Sequence, residues 1–257
     1  MRKFGIIAGL MMAMLASCSS EQSSTTEYET TEEVLVAMKN RYENSWYETL
    51  TFVQTNIQYQ LDGRSDTTTW FEAMKLPGKL RIDIGDPESG NTWIFRNDSI
   101  YVYSQGSLSV ARPTFHPLQL LGFDAYFLDT GTLINKLDSL GFNLAVMSDT
   151  TWQGREVYVI GASAGETKSE QFWIDKERLY FVRLLQSVGP DRTSQQDVQF
   201  NNYVSLGGGW VAPEVVFYVD GRLQMYEIYH NVPEGVDLDD RLFSPAEWQA
   251  ADHWFER

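Results

Sequence analysis

Three histidines, one cysteine and a surplus of carboxylates are the side chains of this sequence that could do chemistry. His116, His230 and His253 stand far apart, at no spacing that would put two of them on one metal. Each therefore reads as a structural or surface residue. Asp83 with Asp86, and Asp237 with Asp239 and Asp240, are close enough along the chain for an acid/base pair or a calcium loop. The 35 Asp and Glu outnumber the 20 Lys and Arg, so acidic surface accounts for these groups more simply. The chain holds no G-x-S-x-G elbow, no P-loop and no G-x-G-x-x-G fingerprint. Gly207-Gly208-Gly209 precedes a strand pattern and reads as a turn. No catalytic group, metal site or cofactor is predicted, and the expectation is a protein that is not an enzyme.

The lone cysteine closes an N-terminal pattern. Arg2 and Lys3 give a positive start, Phe4 to Leu15 is an unbroken run of apolar residues and glycine, and the small residues Ala16 and Ser17 precede Cys18. The run falls short of the roughly 20 residues that span a bilayer. Its layout is that of a secretory signal. Leu15-Ala16-Ser17-Cys18 resembles the lipobox of bacterial lipoproteins. The resemblance implies a signal peptide of residues 1–17, cleavage before Cys18, a diacylglycerol on its thiol and acylation of the new amine. Two or more acyl chains anchor stably where one does not. Residues 18–30 then form the lipidated Cys and a polar tether of Ser, Thr, Glu and Gln with no apolar period. Ser19 is not the Asp that holds lipoproteins in the inner membrane of well-studied enteric bacteria, which favours the outer membrane. Glu21 and its acidic neighbours fit a surface-export signal as well, so the membrane face stays open.

The rest of the chain, residues 31–257, must supply whatever the anchor serves. Its length permits one sizeable core. Hydrophobic residues are 43% and aromatics 14% of the whole, too apolar for disorder and weighted towards strands. A formal net charge of −15 disfavours nucleic acid as a partner, and disfavours attachment to anionic headgroups through a basic patch.

Periodicity places the elements. Val34, Leu35, Met38, Tyr42 and Trp46 recur at helical spacing over Thr31–Trp46, with Thr31 as a candidate cap. Val53, Thr55, Ile57 and Tyr59 then alternate with Gln54, Asn56, Gln58 and Gln60, a strand with one polar face. Strands follow at Thr67–Met74, around Leu80–Ile84, at Thr92–Arg96 and Ile100–Ser104 about an Asn97-Asp98 turn, and at Ser107–Arg112. Pro113 to Phe127 is irregular and strongly apolar, and Thr130–Leu140 reads as a short helix. Strands resume at Phe142–Met147, Glu156–Ala162, Lys168–Asp175, Leu179–Ser187, Ser194–Val204, Trp210–Val219 and Leu223–Asn231, before a final short helix capped by Ser244. Short turns between them require antiparallel neighbours. The prediction is a mainly β, α+β fold: a single curved antiparallel sheet or open half-barrel of about 11–13 strands with helices on the concave side.

Several strands are apolar on both faces, among them Trp93-Ile94-Phe95, Val157 to Ile160 and Val215 to Tyr218. Either the helices fill the concave side completely, or they leave a groove suited to acyl chains. The layout resembles the LolA/LolB-type lipoprotein carriers and their relatives. The resemblance rests on the leading amphipathic helix, the mid-chain apolar helices between two strand sets, and the stretches Leu80-Arg81-Ile82-Asp83 and Asn91-Thr92-Trp93-Ile94-Phe95. It implies an unclosed barrel with helices as a lid over a hydrophobic cavity for lipid or lipoprotein acyl chains. The lid and groove candidates are Trp93, Phe95, Phe115, Leu118, Leu120, Leu121, Phe123, Tyr126 and Phe127. Two alternatives remain: an interaction or sensor module for another envelope protein, and an envelope hydrolase, which would need two carboxylates about 5–10 Å apart in a cleft.

Overall fold

The computed structural model describes residues 27–255. Cys18, the signal segment and most of the predicted tether lie outside them. The first described contacts fall within that tether: the Tyr28 amide donates to the Tyr158 hydroxyl at 3.0 Å, and the two rings lie 6.1 Å apart.

Helix α1 (Thr31–Tyr42) carries Val34, Leu35, Met38 and Tyr42 on its buried face. Its cap is Thr30, one residue before the predicted Thr31. Thr30 serves because Glu33 stands three residues on: the Thr30 hydroxyl accepts from the Glu33 amide at 3.2 Å, and the Glu33 carboxylate accepts from the Thr30 amide at 3.1 Å. The predicted extension to Trp46 fails because Asn44 takes a left-handed conformation.

Six strands follow as a meander: β1 (Thr49–Tyr59), β2 (Ser65–Lys75), β3 (Lys79–Ile84), β4 (Thr92–Arg96), β5 (Ser99–Ser104) and β6 (Ser107–Pro113). Asn97 and Asp98 both have positive φ, the conformation a two-residue hairpin turn requires. The apolar excursion resolves into α2 (Pro117–Gly122), a 3-10 turn (Asp124–Tyr126) and α3 (Thr130–Ser139). Then come β7 (Met147–Trp152), β8 (Arg155–Ile160), β9 (Gln171–Asp175), β10 (Phe181–Val188), β11 (Ser194–Asn201), the small hairpin β12 (Val204–Leu206) and β13 (Gly209–Val211), β14 (Glu214–Val219) and β15 (Arg222–His230).

Thirteen of these strands form one antiparallel sheet, in the order β6-β5-β4-β3-β2-β1-β15-β14-β11-β10-β9-β8-β7. The sheet is curved and unclosed: β6 and β7 are its free edges. The chain starts at the centre with β1, runs out to one edge, crosses to the other, and returns to lay β15 beside β1. The crossing segment is α2–α3. That is why the mid-chain excursion is so apolar, since it must traverse the inner face of the sheet between its two edges.

Three sequence expectations are corrected. Residues 142–146 are not a strand: Phe142 is buried, and the Asn143 side chain folds back to accept from the Ala145 amide, so pairing starts only at Met147. No α-helix follows Ser244; one 3-10 turn (Asp240–Phe243) ends at it and another (Trp248–Ala250) comes after it. Phe243 and Trp248 would point about 140° apart on one helix, and the kinked chain buries both. This terminal segment covers the outer face, not the concave one. Leu238, Leu242 and Phe243 pack with Ala73, and Trp248 packs with Ile94 and Tyr103. It explains why Ile94 is apolar between two inward-facing residues.

The triple glycine is a close backbone approach at the β12–β13 turn. A Cβ on Gly208 would lie 2.1 Å from the Ser45 carbonyl oxygen, and one on Gly209 would lie 2.6 Å from the Trp46 ring.

Candidate functional site

Cross-strand register decides which side chains face inward. Gln54 pairs with Trp70 and Tyr229, Asn56 with Glu227, Phe52 with Glu72, and Gln58 with Met225. The even-numbered residues of β1 therefore share the inner face with Trp70, Glu72, Glu227 and Tyr229. The polar face of β1 is turned into the protein. Gln54 and Asn56 are fully buried, while Val53, Thr55 and Ile57 on the opposite face are partly exposed.

Between this face and α2 lies a cavity of about 250 Å³. Its floor is formed by Gln58 of β1; Trp70, Glu72 and Met74 of β2; Leu80 and Ile82 of β3; and Trp93 of β4. Phe200, Phe217, Met225, Glu227 and Tyr229 continue it across β11, β14 and β15. Its roof is His116, Leu118, Gln119 and Phe123. Local chemistry sets the roof: Pro117 starts α2, and His116 caps it, its Nδ1 accepting from the Gln119 amide at 3.3 Å. Burial pushes His116 down to about 4, so at neutral pH its ring is uncharged and free to accept.

The predicted lid residues divide by role. Leu118, Phe123 and Trp93 line the cavity. Leu121 and Tyr126 anchor the lid in the core. Tyr126 stacks on Trp46 at 3.8 Å, and its hydroxyl accepts from the Phe181 amide at 3.4 Å. Phe95, Phe115 and Leu120 border a second cleft of about 170 Å³, where the Lys136 ammonium pairs with Asp98 and lies 4.7 Å over the Phe115 ring. Phe127 is partly buried against the core. The turn after α2 is tied down by Asp124, whose Oδ1 accepts from the Gly78 amide at 2.9 Å.

The buried polar residues were not anticipated as site residues. Burial lifts the Glu227 carboxyl to about 8, and burial together with the neighbouring Glu227 lifts Glu72 well above its ordinary range. The Asn56 amide reaches Glu227 Oε1 at 3.5 Å, and the Tyr229 hydroxyl reaches Oε2 at 3.4 Å, both long contacts. The amide of Gln54 draws the Glu227 carboxyl down without closing a hydrogen bond on it. Neither side-chain polar atom of Gln54, nor Oδ1 of Asn56, nor Nε2 of Gln119, has a hydrogen-bond partner. A single charge inside the runs Trp70-Phe71-Glu72-Ala73-Met74 and Met225-Tyr226-Glu227-Ile228-Tyr229 was the available signal.

Four of the five acidic residues singled out from spacing have partners elsewhere. Asp83 accepts from Arg81 at 2.9 Å, from the Thr92 hydroxyl at 2.5 Å, and meets His253 at 3.1 Å, all beneath the terminal segment. Asp86 and Asp239 cap 3-10 turns, and Asp240 pairs with Lys75 and Lys79. His230 meets the Thr55 hydroxyl at 3.1 Å. Among the described residues no group of three His, Cys, Asp or Glu could hold a metal ion, and no helix is long and apolar enough to cross a membrane.

No protein-family model matches the chain, and no curated protein does. Solved structures do. A DUF1329 family protein from Desulfovibrio piger superposes with a TM-score of 0.56 at 15% identity, over 84% of this chain and 96% of that one. A domain from Vibrio parahaemolyticus, described as an outer membrane lipoprotein-sorting protein, gives 0.56 at 13%, over 84% and 96%. A LolA superfamily protein from Nitrosomonas europaea gives 0.50 at 14%, over 85% and 99%. What these proteins share with the chain is the fold, an unclosed, curved antiparallel sheet of LolA-like architecture.

Proposed function

We propose that this protein is a non-catalytic binder or carrier of lipids or lipoprotein acyl chains. It would act from a lipid anchor on Cys18 at the outer membrane, through a signal peptide of residues 1–17, a tether of residues 18–30 and one binding domain over residues 31–257. The observation that carries this reading is the cavity under α2, whose walls are mainly aromatic, Leu, Ile and Met side chains, with α2 as a short lid over them. The lipoprotein-sorting description of the similar Vibrio parahaemolyticus domain supports it.

The hydrolase alternative is weaker on chemical grounds. Glycoside hydrolysis needs one ionised carboxylate beside one protonated acid. Burial raises the carboxyls of both Glu72 and Glu227, the latter to about 8, which works against the ionised base or nucleophile such a pair would need.

Mass spectrometry of the chain purified from its membrane tests both parts. The N-terminal peptide is expected to carry acyl groups on Cys18, and the folded protein to release a second, non-covalent lipid on organic extraction. A free Cys18 thiol would overturn the anchor. A chain that neither carries nor takes up lipid would overturn the carrier.

A further inference from the structure

The cavity under α2 is small. At about 250 Å³ it has room for about eight groups of the size of a water molecule, which fills about 30 Å³ in the liquid. A methylene is of similar size. Resting on the carrier reading, we infer that the site takes one alkyl chain, end on, through a mouth at Gln58, Phe217 and Met225. Its ligand class is then the single-chain amphiphile, since neither the two chains of a diacyl lipid nor the several chains of a lipoprotein fit together.

Two further observations carry this. The roof is fastened, so lifting it to make room would break packing at several points. Asp124 accepts from the Gly78 amide at 2.9 Å, Tyr126 stacks on Trp46 at 3.8 Å, and Leu133 and Leu137 of α3 are buried in the core. The way in lies instead at the tips of the β1–β2 and β14–β15 hairpins. Along the inner face of β1, Gln54 and Asn56 are wholly buried, whereas Gln58 is exposed. Gln58 pairs with Met225, and Met225 with Phe217, so the three form one cross-strand row. That row lines both the cavity and an outer cleft of about 350 Å³. The rest of the cleft is mainly polar, with Gln60, Asp66 and Gln224 in its wall. Gln224 is the extra residue of a bulge: Phe217 pairs with Met225, but Tyr218 pairs with Leu223. A chain lying across the row buries its tail among Trp70, Trp93 and Leu118, and leaves its head among amides open to water.

A chain-length series tests it. Lysophosphatidylcholines with single acyl chains from about six to about sixteen carbons are titrated at pH 7 against residues 19–257, which hold every described element. Tryptophan fluorescence is the readout, since Trp70 and Trp93 line the cavity. Each added methylene is expected to tighten binding about fourfold up to roughly eight to ten carbons, and little beyond. Diacyl phosphatidylcholine and a triacylated cysteine peptide are expected to bind at least about tenfold less tightly than the best single chain. Met225→Trp narrows the mouth and is expected to weaken every chain length about tenfold while leaving circular dichroism unchanged. Affinity still climbing at the longest chain, a diacyl or triacylated probe binding as tightly as the best single chain, or Met225→Trp without effect would overturn the inference and leave the carrier reading standing. No binding by any probe would overturn both.

Discussion

At the scale of single residues, the buried acids make the clearest forecast. The native chain keeps a proton on Glu227 up to about pH 8, whereas an unfolded carboxyl releases it near 4.5. The folded state therefore binds more protons between these values, and stability falls as pH rises through that window. The contribution is complete below about 4.5 and gone above about 8. Urea denaturation at pH 5, 7 and 8.5 should show this decline, and Glu227→Gln should flatten it and be the more stable protein at pH 8.5 by about 1–3 kcal/mol. Parallel pH profiles for the two proteins would refute the burial account. Asp83 makes the opposite case, a buried charge whose partners are complete. Arg81 lies between the Trp248 and Trp254 rings, 5.0 and 5.2 Å from their centroids, and faces Asp83 with almost no solvent contact. Asp83→Ala strands that guanidinium and should cost about 3–5 kcal/mol, read from the same denaturation curves.

At the scale of elements, legibility was uneven for physical reasons. Periodicity found the strands because alternation survives whichever way a strand faces. It could not say which face of β1 points inward, because orientation depends on what the opposite side meets. The rule that polar faces lie in water misleads here: Gln54 and Asn56 lie buried on the inner face, and Val53 and Ile57 face out. The lid segment was found by composition alone, yet its residues differ in role, which only packing reveals. Leu121 is wholly buried, whereas Leu118 is half-buried at the cavity roof. Leu121→Ala should cost about 2–5 kcal/mol in stability. Leu118→Ala should cost well under that and change lipid affinity instead. Equal losses of stability from the two would mean the roof is ordinary core. The terminal segment escaped because residues that each sink separately into the outer face carry no period.

At the scale of the whole molecule, the thirteen-stranded order places the chain's beginning against its end. β1 and β15 are neighbours at the middle of the sheet, and the cavity floor straddles the line where they meet. Asn56 and Glu227, which touch across it, are 171 residues apart in sequence. Each half can zip up locally through its hairpins, but this seam closes only after a long stretch of chain has been brought round, an entropic toll that slows assembly. The pocket is thus a certificate of completion. Neither strand set encloses the cavity by itself, so a half-formed chain has no pocket at all.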